Sequence, residues 1–209
     1  MNKKGQSSLL QPSALIPHPL IRVFCAVELP TEIRRRVGDH IADLRSRMPR
    51  ARASWDHSEK LHLTLKFLGE IEQERAAFLR DAAARAARTV SPFNIIIEGA
   101  GTFPPRGLPR VLWLGVRDAS GFLAQLQLNL ENECEGVGFP REARPFHPHL
   151  TIARLHSKPE GARSLAALHQ ESGFAPAEVS VNHLIVIRSR LGPGGSIYTE
   201  LSRHGLDKG

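Results

Sequence analysis

The chain has 209 residues, 41% of them hydrophobic, which is enough to bury a core as one domain or as two small lobes sharing a cleft. A formal net charge of +7 favours anionic partners such as nucleotides or RNA, because basic surfaces concentrate polyanions. Two cysteines, Cys25 and Cys134, exclude a disulfide scaffold and show no metal-ligand spacing, and the absence of an apolar run of roughly eighteen residues argues against a membrane span.

In chain order, residues 1–20 are expected to be a disordered N-terminal extension. Lys3 and Lys4 precede the apolar pairs Leu9-Leu10 and Leu15-Ile16, but Gln11, Pro12, Ser13 and Pro17 interrupt them and no small-x-small cleavage site follows. A cytoplasmic protein with reduced thiols, and a single bilobal domain over 21–209, are the corresponding expectations. Ile21 to Leu29 reads as a strand, with Cys25 as a small core residue. Thr31 suits a helix N-cap, and Ile33, Val37, Ile41 and Leu44 recur at helical spacing until Pro49.

Residues 61–68 alternate as a strand, with Leu61, Leu63, Leu65 and Phe67 on one face, His62, Thr64 and Lys66 on the other, and Gly69 as its end. Residues 72–89, rich in Ala, Arg and Glu, are expected to be helical. Phe93 to Ile97 is a strand, residues 99–109 a Gly/Pro loop, and Val111 to Val116 a strand. An amphipathic helix over 119–135 uses Phe122, Leu123, Leu126 and Leu130, closed by Gly136 and Gly138. His149 to Ala153 is a strand, 160–171 a helix, Val179 to Ile187 a strand, and a turn at 191–195 leads into a last strand over 196–201.

This order contains a repeat. Helix, His-Leu-Thr strand, helix and strand occur at 31–97 and again at 119–187. The fold class is therefore α+β, with two pseudo-symmetric lobes of antiparallel sheet, helices outside and a cleft between them. With ten histidines in the chain, two His-Leu-Thr triplets at the same place in a repeat are poorly explained by coincidence.

Residues i and i+2 of a strand share a face, so each triplet presents an imidazole beside a hydroxyl, with Leu63 or Leu150 anchoring the opposite face. Two such strands facing each other surround one phosphorus with what phosphoester hydrolysis needs. One imidazole accepts a proton from water, the other protonates the leaving oxygen, and the hydroxyls of Thr64 and Thr151 bind phosphoryl oxygens. Imidazoles suit both roles because their pKa lies near 6.5. His147-Pro148-His149 brings two imidazoles close, but no Cys, Asp or Glu lies near by in sequence to complete a metal shell.

Together these stretches resemble the 2H phosphoesterase superfamily, in particular its RNA 2′,3′-cyclic phosphodiesterase (2′-5′ RNA ligase) family. The resemblance rests on residues 22–30, Trp55, 62–69, 101–104, 110–115 and 146–154, in family order over nearly the whole chain. It implies hydrolysis of a terminal 2′,3′-cyclic phosphate to a 2′-phosphate, reversible as 2′-5′ ligation, with no cofactor and no metal. It places the catalytic pairs on His62 with Thr64 and His149 with Thr151. His62 is assigned as general acid and His149 as general base, although the residues alone leave the reverse assignment open.

Arg154 is a further candidate for phosphate binding, Phe24 for stacking on the terminal base, and Lys66 and Arg110 (with Arg106) for the RNA backbone. His147 is a candidate for lowering the pKa of His149. The expected partners are RNA ends or nucleotide cyclic phosphates, bound by a monomer. Two rival readings remain: an enzyme acting on small nucleotide cyclic phosphates, and a non-catalytic RNA-end-binding module.

Overall fold

A computed structural model describes residues 19–207 apart from Ser157 and Gly194. Residues 1–18, most of the expected extension, lie outside the described residues. Its last two residues belong to the fold: the carbonyl of Pro19 accepts the N–H of Gln73 at 2.9 Å, and Leu20 pairs with Glu72.

Among the described residues, nine strands form two antiparallel sheets. They are β1 (Leu20–Glu28), β2 (Ala53–Trp55), β3 (His62–Glu72), β4 (Phe93–Phe103), β5 (Val111–Arg117), β6 (His149–Leu155), β7 (Ala177–Val181), β8 (His183–Gly192) and β9 (Gly195–Gly205). The first sheet has the order β3-β1-β8-β9 and the second β2-β6-β5-β4-β7. The helices are α1 (Thr31–Arg47), α2 (Ala76–Ala87), α3 (Phe122–Gly136) and α4 (Pro159–Ser172). No helix among the described residues is long and apolar enough to cross a membrane.

The repeat is present and each unit is one strand longer than expected. β1-α1-β3-α2-β4 corresponds to β5-α3-β6-α4-β8, and each unit gives its last strand to the other's sheet. β8 therefore pairs with β1, and β4 with β5, so the cores read β3-β1-β8 and β6-β5-β4. The helices exchange likewise: α2 packs on β8 and β9 and against α3, which reaches β3, whereas α4 packs on β4 and against α1. A single hydrophobic cluster draws on both sheets and all four helices.

The local reasons are ordinary. In α1 the buried residues are Ile33, Val37, Ile41 and Leu44, the stripe that the spacing predicts. Pro30 rather than Thr31 occupies the N-cap, and the Thr31 hydroxyl instead accepts from Arg34. β1, between two neighbours, is apolar on both faces: Val23, Cys25 and Val27 face the main core, and Phe24 and Ala26 face the cleft side with Ile185 and Ile187.

Several boundaries differ from expectation, and one strand is new. β3 runs past Gly69 to Glu72. β4 continues to Phe103 because Gly99, at φ +70°, forms a bulge within it, which shrinks the expected 99–109 loop to 104–110. The stretch 179–187 is two strands in different sheets, divided at Asn182. β2 was not foreseen; it borders β6.

Candidate active site

β3 and β6 approach each other across the opening between the sheets, and His62, Thr64, His149 and Thr151 all line one cleft of about 660 Å³. In β3, Thr64 pairs with Ala26 and Lys66 with Cys25, which leaves Leu65 as an extra residue. In β6, Thr151 pairs with Trp113 and Ala153 with Leu112, which leaves Ile152 extra. Both His-Leu-Thr strands thus carry a bulge at the residue after the threonine. A bulge reverses the alternation beyond it. The residue three past each threonine therefore returns to the cleft face: Phe67 in β3 and Arg154 in β6.

The two imidazoles are held alike. Nδ1 of His62 is 2.7 Å from the carbonyl of Lys60, and Nδ1 of His149 is 2.6 Å from the carbonyl of His147. A carbonyl can only accept, so each Nδ1 carries a proton and each Nε2 is left for chemistry. Aromatic rings surround both. His62 stacks on Phe24 at 4.6 Å between centroids and meets Tyr198 edge-on at 5.3 Å. His149 meets Phe103 edge-on at 4.9 Å and Trp113 at 6.3 Å.

These surroundings hold both histidines below the ordinary imidazole pKa. For His62 the main cause is burial, with a smaller contribution from the Arg154 charge. For His149 burial again comes first, followed by the charges of His147 and Arg154; both backbone hydrogen bonds act in the opposite direction. His147 thus acts on His149 in both directions, its carbonyl raising the pKa and its charge lowering it.

Arg154 lines the cleft as expected, with Nη1 3.8 Å from Asp56 Oδ2 and about half its side chain exposed. Two other expectations fail, those for Phe24 and Lys66. Phe24 is 2% exposed, packed against His62, Phe67 and Tyr198, and cannot receive a base. Lys66 falls on the core face through the Leu65 bulge. Its Nζ is 2.5 Å from Glu131 Oε2 and 2.8 Å from the carbonyl of Pro140, so it is not free to hold RNA. Arg110 does not line the cleft; its backbone joins Phe103 and Leu155.

Phe67, expected in the core, is 52% exposed and lines the cleft beside Phe24. Tyr198 and Phe103 also line it, and sequence reasoning gave neither a role. Only the Gly101-Thr102-Phe103 stretch hinted at Phe103. There a Cβ on Gly101 would lie 2.2 Å from the Trp113 ring, so glycine admits the indole beside His149.

The model of the 2′-5′ RNA ligase superfamily matches residues 29–193. The chain belongs to this superfamily. Superfamily relatives named RNA 2′,3′-cyclic phosphodiesterase include one from Thermotoga maritima, 33% identical over 87% of this chain and 93% of that protein. Another, from Geobacillus stearothermophilus, is 34% identical over 80% of this chain, which spans only 52% of that longer relative. Among solved structures, a Thermus thermophilus protein superposes with a TM-score of 0.73 at 31% identity, covering 90% of this chain and 99% of that one. Escherichia coli LigT complexed with 3′-AMP superposes with a TM-score of 0.68 at 28% identity, again over 90% and 99%. The two-sheet architecture is thus that of the LigT-type members of the superfamily.

Proposed function

We propose that the protein hydrolyses a terminal 2′,3′-cyclic phosphate of RNA to a 2′-phosphate, as a monomer in the cytoplasm. The observation that carries this reading is the pair of Nε2 atoms presented into one cleft from equivalent strands, each fixed by an Nδ1–H bond to a carbonyl. The names of the superfamily relatives supply the substrate class.

In the forward direction, water is deprotonated by Nε2 of one histidine as its oxygen attacks phosphorus. The bond from phosphorus to the 3′ oxygen breaks, and that oxygen takes the proton from Nε2 of the other histidine, previously an imidazolium. Thr64 and Thr151 donate to the non-bridging oxygens, and Arg154 offsets their charge. The two proton transfers are each worth roughly 10²–10⁴-fold in rate. With a 5′-hydroxyl attacking in place of water, the same proton transfers and the same loss of the 3′ oxygen give a 2′-5′ linkage, which is ligation.

We infer the assignment of roles from where the twofold symmetry breaks. Equivalent positions hold Phe67 beside His62 and Arg154 beside His149. A base stacked on Phe67 puts the ribose on the His62 side, where the 3′ oxygen leaves, so His62 is the acid. The phosphate then faces Arg154, with His149 behind the attacking water as the base. E. coli LigT in complex with 3′-AMP is consistent with a site that accepts a nucleotide.

The test is an RNA oligonucleotide ending in a 2′,3′-cyclic phosphate, incubated in EDTA with wild type, His62→Ala and His149→Ala. A 2′-phosphate product that disappears in both variants is expected. Binding without turnover in the wild type would move the protein to the RNA-end-binding class.

A further inference from the structure

A carboxylate stands beside the place where the phosphate binds. Asp56 follows β2 directly, and its N–H donates to the carbonyl of Ile152 at 2.9 Å, which fixes its backbone at the bulge next to Thr151. Its Oδ2 is 3.8 Å from Nη1 of Arg154, and both side chains line the cleft. At that distance Asp56 acts on Arg154 by charge without occupying its donors. Burial pushes the Asp56 carboxyl above its ordinary pKa, against the charge of Arg154 first and those of His57 and Lys60 after it. The Asp56 charge also reaches the opposite sheet, where, after burial, it helps to raise the pKa of Tyr198.

An anion beside an anion site weakens binding, and the rest of the cleft shows the same restraint. The chain carries a formal charge of +7, yet among the cations that line the cleft Lys66 is paired with Glu131, Arg144 with Glu142 and Arg154 with Asp56. Of these three carboxylates, only Asp56 adjoins the residue that faces the phosphate. Substrate and product differ in charge at this point. A cyclic phosphate is a diester with one negative charge, whereas a 2′-phosphate is a monoester that loses its second proton near pH 6. At the phosphate, one imidazolium and Arg154 stand against Asp56, a balance of one positive charge. That balance matches a diester and leaves the second charge of a monoester facing a carboxylate.

We propose that Asp56 makes the cleft selective for singly charged phosphodiesters and drives out the doubly charged monoester product. This rests on the cyclic phosphodiesterase reading, and it makes Asp56 a specificity residue that acts through Arg154 and through space. It accounts for a carboxylate at an anion site: without it, the same cations would hold the product more tightly than the substrate.

The test is a pair of binding titrations near pH 7 with a 3′-deoxynucleoside 2′-phosphate and its methyl ester, neither of which can cyclise. Wild type is expected to bind the two within about threefold of each other. Asp56→Asn should tighten the monoester by about tenfold or more relative to the methyl ester, and Asp56→Glu should restore the wild-type ratio. Both affinities are measured on the same variant, so their ratio cancels general damage to the fold. An unchanged ratio in Asp56→Asn would overturn the proposal. So would equal weakening of both ligands, the result for a residue that only orients Arg154. A wild type that shows this charge selectivity but leaves the cyclic phosphate intact would overturn the phosphodiesterase reading and not the selectivity.

Discussion

Phe24 lies stacked beneath His62, ring centroids 4.6 Å apart and 27° from parallel. Among the described residues His149 has no such partner; its neighbour Phe103 stands edge-on at 85°. A ring face covered by an aromatic neighbour sheds water, and lost hydration disfavours the imidazolium. The two catalytic candidates thus sit in related but unequal surroundings, both poor in water.

The first consequence concerns pH. Activity needs one imidazole neutral and one protonated, so kcat/KM should be bell-shaped, with limbs that belong to the pair. Burial lowers both pKa values in the free enzyme, so both limbs should lie below the ordinary imidazole value of about 6.5. Bound phosphate restores the charged form, so the limbs of kcat should move to higher pH. A pH–rate series on both parameters checks this, and a kcat/KM optimum clearly alkaline of 6.5 would count against it.

Phe67→Ala should weaken binding of an RNA end by the worth of one stacked base, about 1–3 kcal/mol. Its ring is half exposed, so thermal stability should change little. Phe24→Ala should do the reverse, costing about 3–5 kcal/mol of stability as a buried phenylalanine. Binding titrations with uncleavable RNA, beside melting curves, separate the two. Equal behaviour of the two variants would undo the distinction between platform and support.

The Lys66–Glu131 pair ties β3 to α3 in the core, and Glu131 also accepts the N–H of Glu142, on the segment that leads to His147. Lys66→Met alone leaves a buried carboxylate unpaired and should cost about 3–5 kcal/mol; pairing it with Glu131→Leu should recover most of that. Urea unfolding of the single and double variants measures the coupling. A double variant no more stable than Lys66→Met would show that the charge itself is not the issue.

His169 is buried on α4, with Nε2 3.0 Å from the carbonyl of Trp113 and Nδ1 3.2 Å from His40. Burial brings its pKa down to about 4. A lowered folded-state pKa means that the unfolded chain takes up the proton first. Stability is therefore complete above about 6.5 and declines as pH falls towards 4, by about 3 kcal/mol in all. Unfolding free energies across this range should show the loss, and His169→Gln should remove its share while the shares of His62 and His149 remain.

Much of this was legible in the sequence. The two His-Leu-Thr triplets located the site, and the stripes Ile33-Val37-Ile41-Leu44 and Leu123-Leu126-Leu130 located two helices, because both signals are local periodicities. The errors come from places where the period changes without a marker. Nothing in Thr64-Leu65-Lys66 announces a bulge, so strict alternation sent Lys66 to the cleft and Phe67 to the core, each to the wrong face. The same bulge at Ile152 is what brings Arg154 into the cleft, a result strict alternation would have denied. Asn182 likewise divides one apolar run between two sheets, which only the long-range pairings of β7 and β8 reveal.

The division of labour between His62 and His149 is the central claim, and a leaving-group substitution tests it most directly. Replacing the bridging 3′ oxygen of the cyclic phosphate by sulfur gives a leaving group that departs without a proton. His62→Ala, inactive on the oxygen substrate, should regain near wild-type turnover on the sulfur one, whereas His149→Ala should stay inactive on both. Rescue of His149→Ala in place of His62→Ala would reverse the roles, and rescue of neither would contradict acid catalysis by this pair.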